Sequence, residues 1–249
     1  ANLPYSAPTG TPNQYSIDYD ATANGAGFTD VTNAALPASP IVLTVPAAAP
    51  VATYNATLTV RNSTNGCVSN SYPITITVNA RPVPTITGAA SACVGSTGNI
   101  YTTEAGMSGY TWTVSAGGTI TAGAGSNSIT VSWTTTGAKT ITVNYTNANG
   151  CNATTATSHT VTINANPIAT ITGATSFCAG GSLVLSAATS TAGSGTISGY
   201  QWNLSGTPIA GATSSTYTVT TAGSYTVTVT NSNNCSTTSA VRNVTVTAL

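Results

Sequence analysis

Charge is what this sequence most conspicuously lacks. Only 3% of its 249 residues are charged, four basic (Arg61, Arg81, Lys139, Arg242) and four acidic (Asp18, Asp20, Asp30, Glu104). Four scattered cations make no patch that could neutralise a row of phosphates, which excludes nucleic acid as a partner. The same scarcity excludes electrostatic adhesion to anionic membranes. Four acids and a single histidine, His159, leave little material for acid–base catalysis, which needs a positioned pair of such groups. The sequence also lacks a long apolar run. The longest apolar stretch, Leu36 to Ala52, is interrupted by Pro37, Pro40, Pro46 and Pro50, so no segment reaches the roughly 20 residues of a membrane-spanning helix. No charged start followed by a hydrophobic block marks a signal peptide.

What the chain has is 41% hydrophobic residues set among Thr, Ser, Asn and Gly. That is enough apolar matter for a core, and opposite to the charged, β-branched-poor composition of disordered chains. Thr favours extended backbone while its hydroxyl faces water. Alternation with period two is plain: Ile141, Val143 and Tyr145 face one way and Thr140, Thr142 and Asn144 the other, and Tyr225, Val227 and Val229 repeat the pattern. Ile129, Val131 and Trp133 make another such strand, Leu183 and Leu185 another. Gly-containing turns separate them (Gly117-Gly118, Gly137, Asn149-Gly150, Gly223), and no segment has a helical period. The expected fold class is all-β.

An internal repeat organises the chain. Thr77–Gly95 reads TVNARPVPTITGAASACVG and Thr162–Gly180 reads TINANPIATITGATSFCAG, identical at 12 of 19 positions with an offset of 85 residues. Tyr110-Thr111-Trp112 answers to Tyr200-Gln201-Trp202, and NANGC (147–151) to NSNNC (231–235). The first segment ends in the same way, NSTNGC (62–67) preceding Pro73–Val78. A period near 85 is one small β-sandwich, longer than a solenoid repeat. The expected domains are 1–79, 80–164 and 165–249, joined at Asn79-Ala80-Arg81-Pro82 and Asn164-Ala165-Asn166-Pro167, where proline favours extended, semi-rigid backbone.

The five cysteines follow the repeat. Cys93 to Cys151 spans 58 positions and Cys178 to Cys235 spans 57. Within an immunoglobulin-like strand order these are read as the start of strand B and the end of strand F, placed at one end of the sandwich. The expectation is a disulfide within each of the two repeats, with free buried thiols as the alternative. Zinc is disfavoured, because there is no CxxC and one histidine. Disulfides imply export to an oxidising compartment, so the expected location is the cell surface or beyond. Cys67 has no partner on this scheme. Its match is expected a few residues before Ala1, which would make the chain a piece of a longer array; an unpaired or intermolecularly bonded Cys67 is the rival.

Few other residues offer chemistry. Asp18 and Asp20 share one face of a strand, and with Asp30 they form the weak calcium candidate, the bland alternative being a solvated strand face. No other metal and no cofactor is expected. Glu104 and Lys139 are read as neighbours at the end of strand B and the start of strand F, able to pair, with a Lys–Asn cross-link as a remote possibility. His159 is read as a surface or edge residue. Trp112, Trp133 and Trp202 are read as core. Tyr5, Tyr15, Tyr19 and Tyr72 are the aromatic residues available to stack on a sugar. The Asn-x-Ser/Thr triplets at Asn55, Asn62, Asn144, Asn152, Asn203 and Asn243 are frequent by chance in such a composition.

The joint motif NAxPxxTITGxxxxCxG, the YxW of 110–112 and 200–202 (Tyr-x-Trp), AGSYTVTVTNSNNC (222–235) and NSTNGCVSNSYPITITV (62–78) together resemble the PKD-like and immunoglobulin-like repeats of large surface proteins of Bacteroidetes. Such proteins are exported by the type IX secretion system and include gliding-motility adhesins. The resemblance spans all three repeats and is strongest from Pro73 onward. The first repeat departs from it, with Gln14-Tyr15-Ser16-Ile17 in place of the YxW and an Ala/Pro-rich insert. The resemblance implies tandem immunoglobulin-like (PKD-like) sandwiches with an adhesive or spacing role and no catalytic residues. The partners it implies are neighbouring repeats, further copies in a fibre, or surface glycans. A filament subunit and a sugar-binding accessory module of a secreted enzyme are the alternatives.

Overall fold

A computed structural model describes residues 1–6 and 9–248. The chain divides into two compact units, Ala1–Arg81 and Pro82–Leu249. Each unit is built from mainly antiparallel sheets whose inward side chains alternate with outward Thr, Ser and Asn.

The first unit contains β1 (Asn2–Leu3), β2 (Gln14–Tyr19), α1 (Ala21–Gly25), β3 (Val31–Ala35), β4 (Ile41–Val42), β5 (Ala52–Arg61) and β6 (Tyr72–Val78). Four strands form one sheet in the order β3-β2-β5-β6, and β1 pairs with β4. Ile17 and Tyr19 from β2, Tyr54 and Ala56 from β5, and Ile74 and Ile76 from β6 form one core with Phe28, Ile41 and Leu43. The short helix α1 corrects the expectation of no helix. Its signal was a cap, not a period. The Asp20 Oδ1 accepts from the Ala23 amide at 2.8 Å, satisfying a donor that the first helical turn leaves unpaired. Ala23 is buried beneath it.

The second unit holds two sandwiches, each with its own core. The middle one comprises β7 (Thr87–Gly88), β8 (Ser91–Cys93), β9 (Asn99–Thr102), β10 (Ser108–Val114), β11 (Gly118–Ala122), β12 (Ser128–Trp133), β13 (Gly137–Thr146) and β14 (Thr157–Asn164). Its two sheets run β10-β13-β14-β8 and β11-β12-β9-β7. Tyr101, Trp112, Ile129, Val131, Trp133, Ile141, Val143, Val161 and Ile163 fill the space between them.

The last sandwich comprises β15 (Ser176–Cys178), β16 (Leu183–Ser186), β17 (Ile197–Leu204), β18 (Thr207–Pro208), β19 (Thr216–Val219), β20 (Gly223–Asn231), β21 (Ser236–Thr238) and β22 (Arg242–Thr247). One sheet runs β15-β22-β20-β17-β18 with β21 on β20, and β16 pairs with β19. Its core gathers Leu183, Leu185, Trp202, Val219, Tyr225, Val227, Val229 and Val244.

Two details explain conserved features of the internal repeat. The indole Nε1 atoms of Trp112 and Trp202, buried on β10 and β17, donate to the carbonyls of Ser126 (2.8 Å) and Ser214 (3.0 Å). A buried indole needs such a partner. The Gly of TITG is required by close approach. A Cβ on Gly88 would lie 2.2 Å from Cδ1 of Tyr101, and one on Gly173 would lie 2.6 Å from the Val184 carbonyl.

The opening strand of the middle sandwich changes sheets: β7 pairs antiparallel with β9, and β8 then pairs parallel with β14, setting Cys93 level with Asn164. The last sandwich repeats the parallel pairing, with Cys178 level with Thr247.

Candidate functional site

The feature that sets this chain apart is the junction between its middle and last sandwiches. Cys93, on the end of β8, is bonded to Cys235, in the turn after β20, with Cα atoms 5.6 Å apart and a sequence separation of 142. Cys67, Cys151 and Cys178 are free thiols. The expected pairs Cys93–Cys151 and Cys178–Cys235 are therefore corrected.

Strand direction gives the reason. β14 begins just after the turn that carries Cys151 and ends level with Cys93. The length of the ten-residue strand β13 thus separates the two cysteines, roughly 30 Å at the rise of a β-strand. A disulfide spans Cα atoms no more than about 7 Å apart. Cys178, level with Thr247, is separated from Cys235 by β20 in the same way. The opening-strand cysteine lies where the chain leaves a sandwich, and the turn cysteine lies where it enters. Head-to-tail stacking brings the exit of one beside the entry of the next.

The joint is fixed from both sides. The Val94 amide donates to the Asn164 carbonyl (2.9 Å), and the Asn166 side chain donates to the Val94 carbonyl (3.0 Å). The Ala165 amide donates to Ser194 Oγ (2.9 Å). Asn231, fully buried, holds the turn. Its Nδ2 donates to the carbonyls of Ala165 (3.1 Å) and Ala192 (2.9 Å), and its Oδ1 accepts from the amides of Asn233 and Cys235, both at 3.0 Å. Asn231 connects joint, turn and loop, and sequence reasoning did not assign it that role. The signal was present: each of the three turns opens with Asn and closes with Cys, as Asn62–Cys67, Asn147–Cys151 and Asn231–Cys235. In each the Asn amide donates to the Cys carbonyl, at 3.0, 2.9 and 2.9 Å.

Residues 78–161 match the PKD-like domain family, and residues 164–248 match the PKD domain family. The chain carries two tandem PKD-like domains. They are all-β, and they meet at the bridged junction. Among solved structures the chain is similar to the fibronectin(III)-like modules of Clostridium thermocellum CbhA, with 13% identity, TM-score 0.39, and coverage of 67% of this chain and 94% of that one. Extracellular domains 3–5 of Drosophila OTK give 14% identity and TM-score 0.37, over 99% of this chain and 90% of that one. The Bacteroides ovatus mixed-linkage glucan utilization locus protein SGBP-B, in complex with a mixed-linkage heptasaccharide, gives 16% identity and TM-score 0.21, over 100% of this chain and 64% of that one. No curated protein matches the chain.

Outside the junction, the residues singled out for chemistry do not converge. Asp20 caps α1 and also accepts from Asn55 (3.3 Å), while Asp30 accepts from the Tyr19 amide (2.9 Å); Asp18 is exposed on β2. The calcium candidate is thus corrected, and among the described residues no three His, Cys, Asp or Glu side chains are placed to hold a metal.

Glu104 and Lys139 are not neighbours. Glu104 accepts from Thr85, Thr103 and, at 3.0 Å, from Tyr145 Oη, at the far end of β13 from Lys139. Lys139 donates to the Ala116 carbonyl (3.0 Å) and Thr135 Oγ1 (2.7 Å). Burial acts to raise the Glu104 pKa, but the hydrogen bonds from the Thr85 and Thr103 hydroxyls and the Thr85 amide hold it down to about 2. Burial, together with the hydrogen bond to Glu104 and its charge, pushes Tyr145 up to about 12. These are structural shifts.

His159 is half-buried on β14, paired with Ile141 of β13 on one side and beyond the reach of β8 on the other, its ring 5.9 Å from that of Tyr101. The four tyrosines do not form a platform. Tyr19 is core, Tyr5 and Tyr15 pack against that core, and Tyr5 donates to the Pro37 carbonyl. Tyr72 alone stands open, at 65% exposure. Among the six triplets, Asn203 is buried; Asn55 and Asn243 are exposed.

Proposed function

We propose that the chain is a structural spacer, a stalk segment of a long extracellular bacterial surface protein, organised as three repeats (1–79, 80–164 and 165–249). The bridged junction carries this reading. A disulfide, a short proline-containing joint and a buried asparagine act together to hold one PKD-like domain against the next. That arrangement suits a segment that must keep its reach and resist extension. Three separate hydrophobic cores support the division into repeats, and a formed disulfide suits an oxidising, extracellular compartment. Among the described residues no helix is long and apolar enough to cross a membrane. Three of the four acids cap a helix (Asp20), anchor a strand (Asp30) or tie a loop (Glu104), and Asp18 is exposed, which favours a structural role over a catalytic one. An origin in a type IX-secreted adhesin of Bacteroidetes rests on the sequence resemblance.

Single-molecule force spectroscopy on the whole chain tests the proposal. With the bridge closed, the 142 positions from Cys93 to Cys235 cannot contribute to extension. Reduction should lengthen the released contour by roughly 50 nm, at about 3.6 Å per residue. An unchanged contour after reduction, together with specific binding of the chain to a soluble polysaccharide, would replace the spacer by a sugar-binding module.

A further inference from the structure

The Cys93–Cys235 bond has two open halves elsewhere in the chain, and we infer that they join in the same way: Cys178 of one copy is bonded by Cys67 of a second copy, linking copies head to tail. The internal repeat is its own comparison structure. Cys178 stands where Cys93 stands, on a three-residue strand that pairs parallel with the last strand of its sandwich. The next amide is fixed alike, Val94 to the Asn164 carbonyl and Ala179 to the Thr247 carbonyl, both at 2.9 Å. Cys67 stands where Cys235 stands, closing an Asn-headed turn. The Asn62 amide donates to the Cys67 carbonyl at 3.0 Å, as the Asn231 amide does to Cys235 at 2.9 Å.

The Cys67 turn is one residue longer, its cysteine amide donating to Asn65 Oδ1 where that of Cys235 donates to Asn231 Oδ1, both at 3.0 Å; the larger difference is the neighbour. Cys235 is 1% exposed, covered by the domain it is bonded to, whereas Cys178 and Cys67 are both exposed. Cys151, the third turn cysteine, shares the turn contact of Cys235, Sγ 3.9 Å from the carbonyl two residues before it, but it is half-buried where Cys67 is exposed, which makes it the poorer target. The chain's formal net charge is zero, so little long-range repulsion opposes the approach of two copies.

The chemistry needs a disulfide oxidant, here oxidised glutathione. The Cys178 thiolate attacks it, forming a mixed disulfide and releasing one reduced glutathione. The Cys67 thiolate of the second copy then attacks the Cys178 sulfur and releases the second. Two thiols are oxidised, one glutathione disulfide is reduced, and two protons pass to solvent or to the departing thiolates.

Oxidise the purified chain in a glutathione redox buffer, separate it without reductant, and map the linked peptides by mass spectrometry. The expected result is a reducible ladder of multimers containing the Cys67–Cys178 peptide between copies and Cys93–Cys235 within each. Cys178→Ser and Cys67→Ser should each abolish the ladder, and Cys151→Ser should leave it. Monomer that persists while Cys93–Cys235 forms would overturn the inference. So would multimers linked mainly through Cys178–Cys178 or Cys178–Cys151. Failure of Cys93–Cys235 itself to form would remove the template, and the inference with it.

Discussion

Breaking the junction bridge should cost stability in a place that can be watched selectively. The three tryptophans, Trp112, Trp133 and Trp202, all lie in the PKD-like pair and none in the first unit. Tryptophan fluorescence during urea unfolding therefore reports the bridged pair inside the intact chain. The magnitude follows from where the bridge is anchored. Cys93 is level with Asn164, so when the last domain unfolds alone its two ends stay pinned beside the folded middle domain. The closed segment is then about 70 residues, and chain entropy assigns such a loop about 4 kcal/mol at 25 °C. The middle domain, unfolding alone, closes a loop of similar size against Ala165. Each domain should therefore lose stability when Cys235→Ser opens the bridge. The expected loss is about 2–4 kcal/mol, because residual structure in the unfolded chain reduces the ideal value. Reduction of the parent chain should give the same shift, and Cys151→Ser should be nearly silent. A Cys235→Ser chain whose unfolding midpoint matches the oxidised parent would refute the reasoning.

Asn231→Ala should destabilise the last domain by about 2–4 kcal/mol, since it strands two amides and two carbonyls that Asn231 now satisfies; the same urea titration reads it. Gly88→Ala should cost about 1–3 kcal/mol, because its methyl would lie against the fully buried ring of Tyr101, and thermal unfolding checks it. Glu104, its pKa lowered from 4.5 to about 2, contributes fully above pH 4.5, and that contribution is lost as pH falls through about 2. Acid titration of the parent should therefore show a stability loss in that window that Glu104→Gln lacks. Tyr145, raised from 10.0 to about 12, contributes fully below pH 10 and loses its contribution as pH rises through about 12. Tyr145→Phe should flatten the alkaline limb.

Local pattern was legible where it was periodic. Thr between apolar residues marked β13 and β20, and their inward residues, Ile141, Val143, Tyr145 and Tyr225, Val227, Val229, are buried. The helix α1 escaped because five residues have too few turns to show a period, and only the cap at Asp20 announced it. The cysteines and the Glu104–Lys139 pair failed for one shared reason. Both readings treated the start or end of one strand and the opposite end of another as neighbours. Alternation says which face a residue is on, but nothing in it says which end of the sheet the strand starts from. The parallel pairing of β8 with β14 decides that, and it depends on a change of sheet between Gly88 and Ser91 that no spacing encodes.

Equal spacing of cysteines in successive repeats was accordingly ambiguous in a way that more repeats would not resolve. A bond within each repeat and a bond from each repeat to the next impose the same period on the sequence. They differ in what they stabilise. A bond within a domain adds to that domain alone and leaves the joint free to bend. The bond from Cys93 to Cys235 ties the exit of one domain to the entry of the next, so it restrains the joint and both domains together. Asn231 belongs to the same arrangement: an asparagine is costly to bury unless all its hydrogen bonds are met, and here they are met only because the preceding joint and the loop at Ala192 come to the turn. The junction, rather than either core, is thus where the residues common to the repeats acquire a shared purpose. A chain of such junctions would transmit strain from domain to domain through covalent bonds and the joint alike.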